Sequence, residues 1–137
     1  MLTDDMRQTL VQAARIARRW AYAPYSHYAV GAALLTRSGK MYDGVNIENA
    51  AYPDGICAER VAVFKAVSEG ELEFVAVAVV TANGGSPCGS CRQVLAEFGL
   101  ETIVLLANDQ GQIQLETTVA GLLPGAFTPQ HLKPGEG

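Results

Sequence analysis

The chain is organised around two short stretches, Cys57-Ala58-Glu59-Arg60 and Pro87-Cys88-Gly89-Ser90-Cys91. Cys88 and Cys91 are three residues apart, about one turn of a helix, so both sulfurs can face one point. Alone, this pair is compatible with a redox pair, with half of a zinc site or with a chance spacing. The third cysteine, Cys57, has no other cysteine as a partner, and three thiolates with an open fourth position are typical of a catalytic zinc site. The sequence therefore predicts a zinc ion bound by these three residues, with water as the fourth ligand.

Glu59 lies two residues after a predicted ligand, close enough to act on zinc-bound water without binding the metal. Zinc lowers the pKa of bound water from roughly 15.7 to about 7, so hydroxide is available at neutral pH. A ligand-x-Glu element followed by Pro-Cys-x-x-Cys is the signature of zinc nucleobase deaminases, in which this Glu is the general acid and base. Both elements occur here, in order and about thirty residues apart, and the combination is far more specific than either alone.

The charge of such a site requires positive surroundings. A zinc ion, three thiolates and a hydroxide sum to about minus two, and each helix N-terminus contributes roughly half a positive charge. Arg60 and Arg92 each follow a cysteine cluster and can donate to thiolate sulfur, although Arg92 is equally compatible with an ordinary helix surface residue. Ser86 is the predicted N-cap and Pro87 the predicted first helical residue, so Cys88 would open a helix.

Length and composition exclude several classes of protein. The 137 residues are enough for one domain, predicted to span 1–128 and to be followed by a frayed tail at 129–137. A net charge of −4 argues against a nucleic-acid partner. No apolar stretch approaches a membrane span, and the N-terminus does not have the pattern of a secretory signal. Three cysteines do not form a disulfide framework, and we therefore expect a reducing, cytoplasmic location.

Hydrophobic periodicity predicts alternating strands and helices, an α/β fold in two or three layers. The predicted helices span 3–21, 57–69, 87–98 and 119–123, and the predicted strands span 28–36, 40–45, 74–81, 102–107 and 112–116. Thr3 is the candidate cap of the first helix, and its predicted core face is Leu2, Met6, Leu10, Ala13, Ala17 and Trp20. The predicted core face of the second helix is Val61, Phe64 and Val67. The strand at 74–81 is almost wholly apolar and should be buried on both faces. The zinc site then lies at the helix N-termini on one side of the sheet.

A polar and aromatic segment, 46–52, precedes the first predicted ligand. Asn46 and Glu48 are two residues apart, so in an extended segment they point to the same side and can hold a sugar hydroxyl together. The alternative is a loop that only caps a helix. The two cysteine clusters favour a role in substrate binding.

The chain resembles the cytidine deaminases of the small, single-domain, homotetrameric kind over nearly its whole length. The resemblance is carried by the motifs at 23–28, 30–32, 46–50, 57–60, 86–93 and 122–127. It implies a mixed five-stranded sheet with helices packed around it and zinc, one ion per subunit, at the N-termini of two helices.

The resemblance also implies residue roles. Cys57, Cys88 and Cys91 would bind zinc, Glu59 would move protons, and Arg60 would moderate the charge of the thiolates. The implied substrate contacts are Tyr28, Asn46, Glu48, Ala50, Tyr52, Ala58 and Phe127. Among these, Asn46 and Glu48 would hold the ribose 3′-hydroxyl. Tyr28 would lie against the pyrimidine, where the family more often has Phe. Ala50, Tyr52 and Phe127 would reach into a neighbouring subunit's site.

The implied reaction is hydrolytic deamination of cytidine and 2′-deoxycytidine to uridine and 2′-deoxyuridine, a step of pyrimidine salvage that releases ammonia. Glu59 would take a proton from the zinc-bound water, pass it to the ring nitrogen beside the amino-bearing carbon, and help to protonate the leaving amine. The sequence does not separate cytidine from 2′-deoxycytidine.

Other functions account for fewer of these residues. A nucleotide or polynucleotide substrate is disfavoured because the Glu48 carboxylate would repel phosphate. A blasticidin-type deaminase shares the zinc motifs but lacks the segment at 46–49. A structural zinc module would need a fourth protein ligand, and the two histidines, His27 and His131, are predicted to be surface residues. A redox Cys-x-x-Cys protein leaves Cys57 and Glu59 unused.

Overall fold

The fold alternates strands and helices, and the computed structural model describes residues 2–132. The helices are α1 (Asp4–Ala17), α2 (Ala58–Ser68), α3 (Gly89–Glu97) and α4 (Val119–Leu122). The strands are β1 (Gly31–Thr36), β2 (Met41–Val45), β3 (Phe74–Val80), β4 (Ile103–Ala107) and β5 (Ile113–Thr118). Short 3-10 turns cover Arg18–Trp20, Tyr52–Asp54 and Pro129–Leu132.

The five strands form one mixed sheet in the order β2-β1-β3-β4-β5. Neighbouring strands are antiparallel except β3 and β4, which run parallel. A parallel pair needs a crossover connection, and α3 lies in the segment between these two strands. The mixed five-stranded sheet implied by the family resemblance is confirmed.

Apolar side chains cover both faces of the sheet. Val77 and Val79 belong to a cluster with side chains of α2, α3 and α4, whereas Ala76 and Ala78 belong to a cluster with side chains of α1. Because successive residues of a strand point to opposite faces, β3 is central and buried on both sides, as predicted. The fold therefore has three layers, with α1 on one face and the other helices on the opposite face.

Helix α1 begins as predicted and ends earlier. The Thr3 hydroxyl accepts a hydrogen bond from the Met6 backbone N–H at 3.2 Å and completes a capping box, which confirms Thr3 as the cap. The α-helix ends at Ala17, and Trp20 lies in a 3-10 turn with 76% of its surface exposed. The predicted burial of Trp20 is wrong because the tighter turn, with about three residues per turn, takes this side chain off the buried helical face.

The core face of α2 also differs from the prediction. Phe64 is 46% exposed, and Val61 and Val67 are only partly buried. The buried residues of this helix are Ala58, Glu59, Ala62, Val63 and Ala66. Small side chains define the packed face because α2 lies very close to β2. A Cβ atom at Gly44 would meet the Ala58 carbonyl oxygen and, at 2.7 Å, the Ala62 nitrogen.

Strand β1 begins at Gly31 and not at residue 28. The side-chain amide of Asn46 occupies the backbone groups just before the strand. Its Oδ1 accepts the Val30 N–H at 2.9 Å, and its Nδ2 donates to the Tyr28 carbonyl at 2.8 Å. The Asn46 side chain thus makes hydrogen bonds to the backbone here in place of those that a neighbouring strand would make. The remaining predicted strand ends, and those of α2 and α4, lie within about two residues of the observed ones.

The C-terminal segment is ordered further than predicted. Residues 129–132 form a 3-10 turn, stabilised by the His131 Nδ1, which accepts the Thr128 N–H at 3.0 Å. The rest of the predicted frayed tail, 133–137, lies outside the described residues. Within residues 2–132, none of the helices combines the length and the apolar character needed to cross a membrane.

Candidate active site

Cys57 is the N-cap of α2 and has an extended backbone, so it stands just outside the helix. Its Sγ accepts a hydrogen bond from the Arg60 guanidinium at 3.5 Å. Residues three apart on a helix are neighbours, which explains how Arg60 reaches this sulfur. The predicted arginine contact with a thiolate is therefore present at α2.

Cys88 is the N-cap of α3, and its Sγ accepts the Cys91 backbone N–H at 3.4 Å. The prediction that Ser86 caps the helix and that Pro87 is its first residue is wrong. The sulfur of Cys88 occupies the capping position itself, so the helix begins two residues later than predicted. This geometry turns the Cys88 and Cys91 sulfurs to the same side.

The three cysteine sulfurs converge between the N-termini of α2 and α3. The Sγ atoms all lie within 4.8 Å of one another, with 3.7 Å between Cys57 and Cys88 and 3.3 Å between Cys88 and Cys91. Tetrahedral zinc with Zn–S bonds of about 2.3 Å places its sulfurs about 3.8 Å apart, so the arrangement fits this ion. A search of residues 2–132 for clusters of at least three His, Cys, Asp or Glu side chains that could hold a metal ion identifies this group of cysteines.

Within this group, the surroundings of Cys57 favour its thiolate form. The pKa of Cys57 is lowered to about 5, first by a hydrogen bond from the Cys91 thiol and then, against the effect of burial, by Arg60 and Cys88. The pKa of Cys91 is correspondingly raised by its hydrogen bond to Cys57 and by burial. The two helix N-termini add positive potential from their dipoles.

Glu59 lies in the first turn of α2 and is only 4% exposed. Burial raises the pKa of its carboxyl to about 7 because a charged form loses solvation in the interior. The side chain lines the same cavity as Cys57 and Cys88. A buried carboxyl beside a metal-binding group is a suitable general acid and base.

Within residues 2–132, none of the hydrogen bonds of Arg92 goes to a cysteine sulfur. Its guanidinium donates to the Pro87 carbonyl at 2.8 Å, to the Leu122 carbonyl at 2.7 Å and to the Ser86 hydroxyl at 2.8 Å. The predicted donation to thiolate is therefore wrong, and the alternative of an ordinary surface residue is wrong as well. Arg92 joins the loop before Cys88 to the end of α4.

A cavity of about 670 Å³ opens at the metal-binding group. Most of the predicted site residues line it: Tyr28, Asn46, Glu48, Tyr52, Cys57, Ala58, Glu59, Arg60 and Cys88. Cys91 is fully buried behind this lining. Sequence reasoning missed Thr81, Gly85 and Ser86, which also line it. Their position between a central strand and the second cysteine cluster was the available signal.

Glu48 is held in place by the loop that carries Tyr25 and Ser26. Its Oε1 accepts the backbone N–H groups of Tyr25 at 3.0 Å and Ser26 at 3.1 Å, and its Oε2 accepts the Ser26 hydroxyl. The Ser26 contacts lower the pKa of Glu48. Asn46 is fixed by its two contacts to the backbone at Tyr28 and Val30. The two side chains therefore reach the cavity in a fixed orientation.

Two predicted contact residues lie away from the cavity of their own chain. Ala50 is exposed and Phe127 is 54% exposed, and neither is among the residues that line the cavity. Phe127 stacks on His131 with 5.1 Å between ring centroids, and its carbonyl accepts a hydrogen bond from Gln93 at 2.8 Å. Tyr52 is 76% exposed at the rim of the cavity and meets Tyr25 edge to face.

Comparison with known proteins agrees with this geometry. The family model for the cytidine and deoxycytidylate deaminase zinc-binding region matches residues 4–107, which include all three cysteines. A cytidine deaminase of Sporosarcina psychrophila is 53% identical over 128 residues, covering 91% of this chain and 93% of that protein. A cytidine deaminase of Halalkalibacterium halodurans is 54% identical over 129 residues, covering 92% and 97%.

Solved structures give the same result for the fold. The cytidine deaminase of Burkholderia pseudomallei superposes with a TM-score of 0.82 at 48% identity, covering 87% of this chain and 97% of that chain. The cytidine deaminase of Mycobacterium tuberculosis superposes with a TM-score of 0.78 at 36% identity, covering 91% and 98%. The matched zinc-binding region and the three-cysteine group together confirm zinc as the predicted cofactor. The chain belongs to the cytidine deaminase family.

Proposed function

We propose that the protein catalyses the hydrolytic deamination of cytidine and 2′-deoxycytidine, giving uridine and 2′-deoxyuridine with release of ammonia, in pyrimidine salvage. The observation that carries the proposal is the buried Glu59 carboxyl in the same cavity as the Cys57, Cys88 and Cys91 group. Similarity to proteins named cytidine deaminase supports the choice of substrate.

The three cysteines hold the zinc in this proposal, one ion per subunit. When bound, zinc supplies water with a pKa lowered to about 7, so that hydroxide is available at neutral pH. Arg60 stabilises the Cys57 thiolate through the contact already described. Partners of this kind around the ligands orient and tune a metal site.

Glu59 moves the protons. Its carboxylate takes one proton from the attacking water and delivers it to the ring nitrogen beside the amino-bearing carbon. A second transfer carries the other proton of the attacking water to the departing amine, so that cytidine and water give uridine and ammonia. Because Glu59 is buried, these proton transfers take place away from bulk solvent.

Asn46 and Glu48 bind the ribose 3′-hydroxyl in this proposal. A carboxylate has about four acceptor sites, and the contacts from Tyr25 and Ser26 occupy three of those of Glu48. Asn46 has one N–H remaining after its bond to the Tyr28 carbonyl. One free acceptor and one free donor match a hydroxyl, whereas a phosphate would meet the Glu48 charge. Ala58 lines the cavity, and the ring of Tyr28 lies against the pyrimidine.

We further propose a cytoplasmic homotetramer with shared active sites. Ala50 and Phe127 lie outside the cavity of their own chain and are exposed, which supports contacts in a neighbouring subunit. Exposed aromatic side chains at Trp20, Tyr52 and Phe64 provide apolar surface for subunit contacts. One domain over 1–128, followed by the 3-10 turn at 129–132, completes this proposal.

The test is loss of ultraviolet absorbance when the purified protein is mixed with cytidine, 2′-deoxycytidine or cytidine 5′-monophosphate. We expect turnover of the two nucleosides and not of the monophosphate. Equal turnover of the monophosphate would contradict the role of Glu48 at the sugar. No turnover of any of them by zinc-loaded protein would overturn the proposed activity and favour a blasticidin-type substrate.

Subunit sharing is tested by mixing two inactive variants. Phe127→Ala removes the neighbour's contribution, and Glu59→Gln removes the proton carrier. In a mixed oligomer, some sites receive Glu59 from one chain and Phe127 from the other, so activity should reappear. Mixed oligomers verified by mass spectrometry that show no recovery would contradict shared sites.

A further inference from the structure

The hydroxyl of Tyr28 has a partner in the segment that follows β3. It donates a hydrogen bond to the Asn83 Oδ1 at 2.8 Å. Tyr28 precedes β1, and Asn83 follows β3, so the contact joins segments that are 55 residues apart in the chain. Packing against a pyrimidine would need only the ring of Tyr28. The hydrogen bond made by its hydroxyl therefore points to a separate role for that group.

Asn83 belongs to a loop that is closed by its own hydrogen bonds. The Gly85 backbone N–H donates to the Thr81 hydroxyl at 2.8 Å, and the Thr81 hydroxyl lies 3.4 Å from the Asn83 Oδ1 as a donor. Thr81 is buried. The Asn83 Oδ1 thus receives the hydroxyls of Thr81 and Tyr28, and the Tyr28 contact anchors a loop that is already folded on itself.

Gly85 is fitted to the same hydroxyl. A Cβ atom at this position would collide with the Tyr28 hydroxyl oxygen. The absence of a side chain at 85 therefore leaves the space that the Tyr28 hydroxyl occupies. Gly85 does not have a positive φ, so this close approach, and not backbone strain, is the reason for glycine here.

The anchored loop matters to the site in two ways. Thr81, Gly85 and Ser86 form part of the cavity lining, so the loop is a wall of the cavity. It also leads directly into Pro87 and Cys88 at the N-terminus of α3. A displacement of the loop would change both the space for the substrate ring and the approach to one predicted zinc ligand.

We propose that Tyr28 is a positioning residue, whose hydroxyl acts through Asn83 to fix the 81–86 loop as the wall of the substrate cavity and the support of Cys88. The inference rests on the proposed function, because the wall is assigned to the pyrimidine nucleoside. It adds to that function two separate roles for Tyr28: the ring contacts the pyrimidine, and the hydroxyl holds the loop through Asn83.

The first test is a double-mutant cycle of Tyr28→Phe and Asn83→Ala, with cytidine as substrate. Each single variant should raise KM roughly 2- to 10-fold, the loss expected for one neutral hydrogen bond, with a smaller change in kcat. The double variant should be no worse than Asn83→Ala alone, because Asn83→Ala already removes the Tyr28 contact along with that of Thr81. Additive effects in an active enzyme would overturn the inference.

Tyr25→Phe is the matched control, since Tyr25 lines the same cavity and no hydrogen bond from its hydroxyl is found within residues 2–132. Its effect should add to that of Asn83→Ala. Coupling as strong as that of Tyr28→Phe would mean that any lost cavity hydroxyl disturbs the loop, which would overturn a specific role for Tyr28.

Gly85→Ala tests the same contact in the opposite direction. In the otherwise unchanged protein, the added methyl group should displace the Tyr28 hydroxyl and raise KM. Combined with Tyr28→Phe, it should cause no further increase, because the colliding atom is gone. A further increase equal to that in the unchanged protein would contradict the fit between these two residues.

Release of zinc to a chromophoric chelator gives a readout that does not depend on turnover. Release should be faster in Tyr28→Phe, at least equally fast in Asn83→Ala, which also loses the Thr81 contact, and unchanged in Tyr25→Phe. Unchanged release in all three would overturn the support of Cys88. Failure of the proposed function would be seen differently, as zinc-loaded unmodified protein that does not deaminate cytidine.

Discussion

The N-termini of α2 and α3 look alike in sequence and differ in the task of their arginines. Each helix begins with a cysteine as N-cap and carries an arginine in its first turns. At α2, Arg60 donates to the Cys57 sulfur. At α3, the Cys88 sulfur accepts the helix's own Cys91 N–H, and Arg92 reaches backbone carbonyls instead. Charge compensation is thus concentrated at α2, and structural support at α3.

The location of the carboxylates follows the same division. Glu59 on α2 is buried in the cavity, whereas Glu97 on α3 is exposed at the far end of its helix. The α2 terminus therefore combines a buried carboxyl with the arginine that contacts a cysteine sulfur. The α3 terminus supplies two of the three sulfurs and the connection to the rest of the fold.

The largest effect should come from Glu59→Gln. The amide keeps the shape of the side chain and cannot carry protons, so kcat should fall roughly 10²- to 10⁴-fold. Zinc content, measured by atomic emission, should stay at one per chain because the three thiolates remain. Glu97→Gln is the matched control on α3 and should leave both quantities unchanged. Near-normal turnover by Glu59→Gln would remove this residue from the mechanism.

Arg92→Gln should affect stability before chemistry. The substitution leaves the Pro87 and Leu122 carbonyls without their charged donor, and a hydrogen bond to a charged group contributes roughly 1.5–3 kcal/mol. We expect the free energy of unfolding, measured with urea, to fall by about 3 kcal/mol. Arg92→Lys should not restore it, because an ammonium does not reproduce the planar set of donors. Full recovery with Lys would mean that charge alone matters at this position.

Arg60→Gln should show the opposite balance. It removes a partner of a metal ligand, and changes of this kind cost roughly 10- to 100-fold in metal affinity or activity. Zinc affinity, measured by competition with a chelator, should therefore fall while the unfolding free energy of the zinc-free protein changes less than in Arg92→Gln. Equal effects of the two variants on both quantities would erase the distinction between the helix termini.

Sequence reasoning succeeded where the information is local. The spacing of Cys88 and Cys91, the ligand-x-Glu element at Cys57 and the apolar run of β3 each express their structure within a few residues. It failed where the partner is distant. Nothing near Arg92 in the sequence indicates the Leu122 carbonyl, and nothing near Tyr28 indicates Asn83. These contacts depend on how β1, β3 and α4 are arranged by the sheet.

The face of α2 was missed for another physical reason. Large apolar residues usually define a buried face, but Gly44 lets this helix approach β2 so closely that alanines fill the interface. Phe64 is then left on the outer side. A pattern that weighs only large side chains cannot detect packing of this kind.

The smallest effect concerns a third helix N-terminus, which carries no cysteine. Thr3 caps α1 through its hydroxyl and stands on the opposite face of the sheet from the metal-binding group. Thr3→Ala should lower the unfolding free energy by about 1 kcal/mol, with zinc affinity and turnover unchanged. Thr3→Ser, which keeps the hydroxyl, is the control and should retain most of the stability. A loss of zinc affinity in Thr3→Ala would show that helix capping in general reaches the site, and that the N-termini of α2 and α3 are not specialised for it.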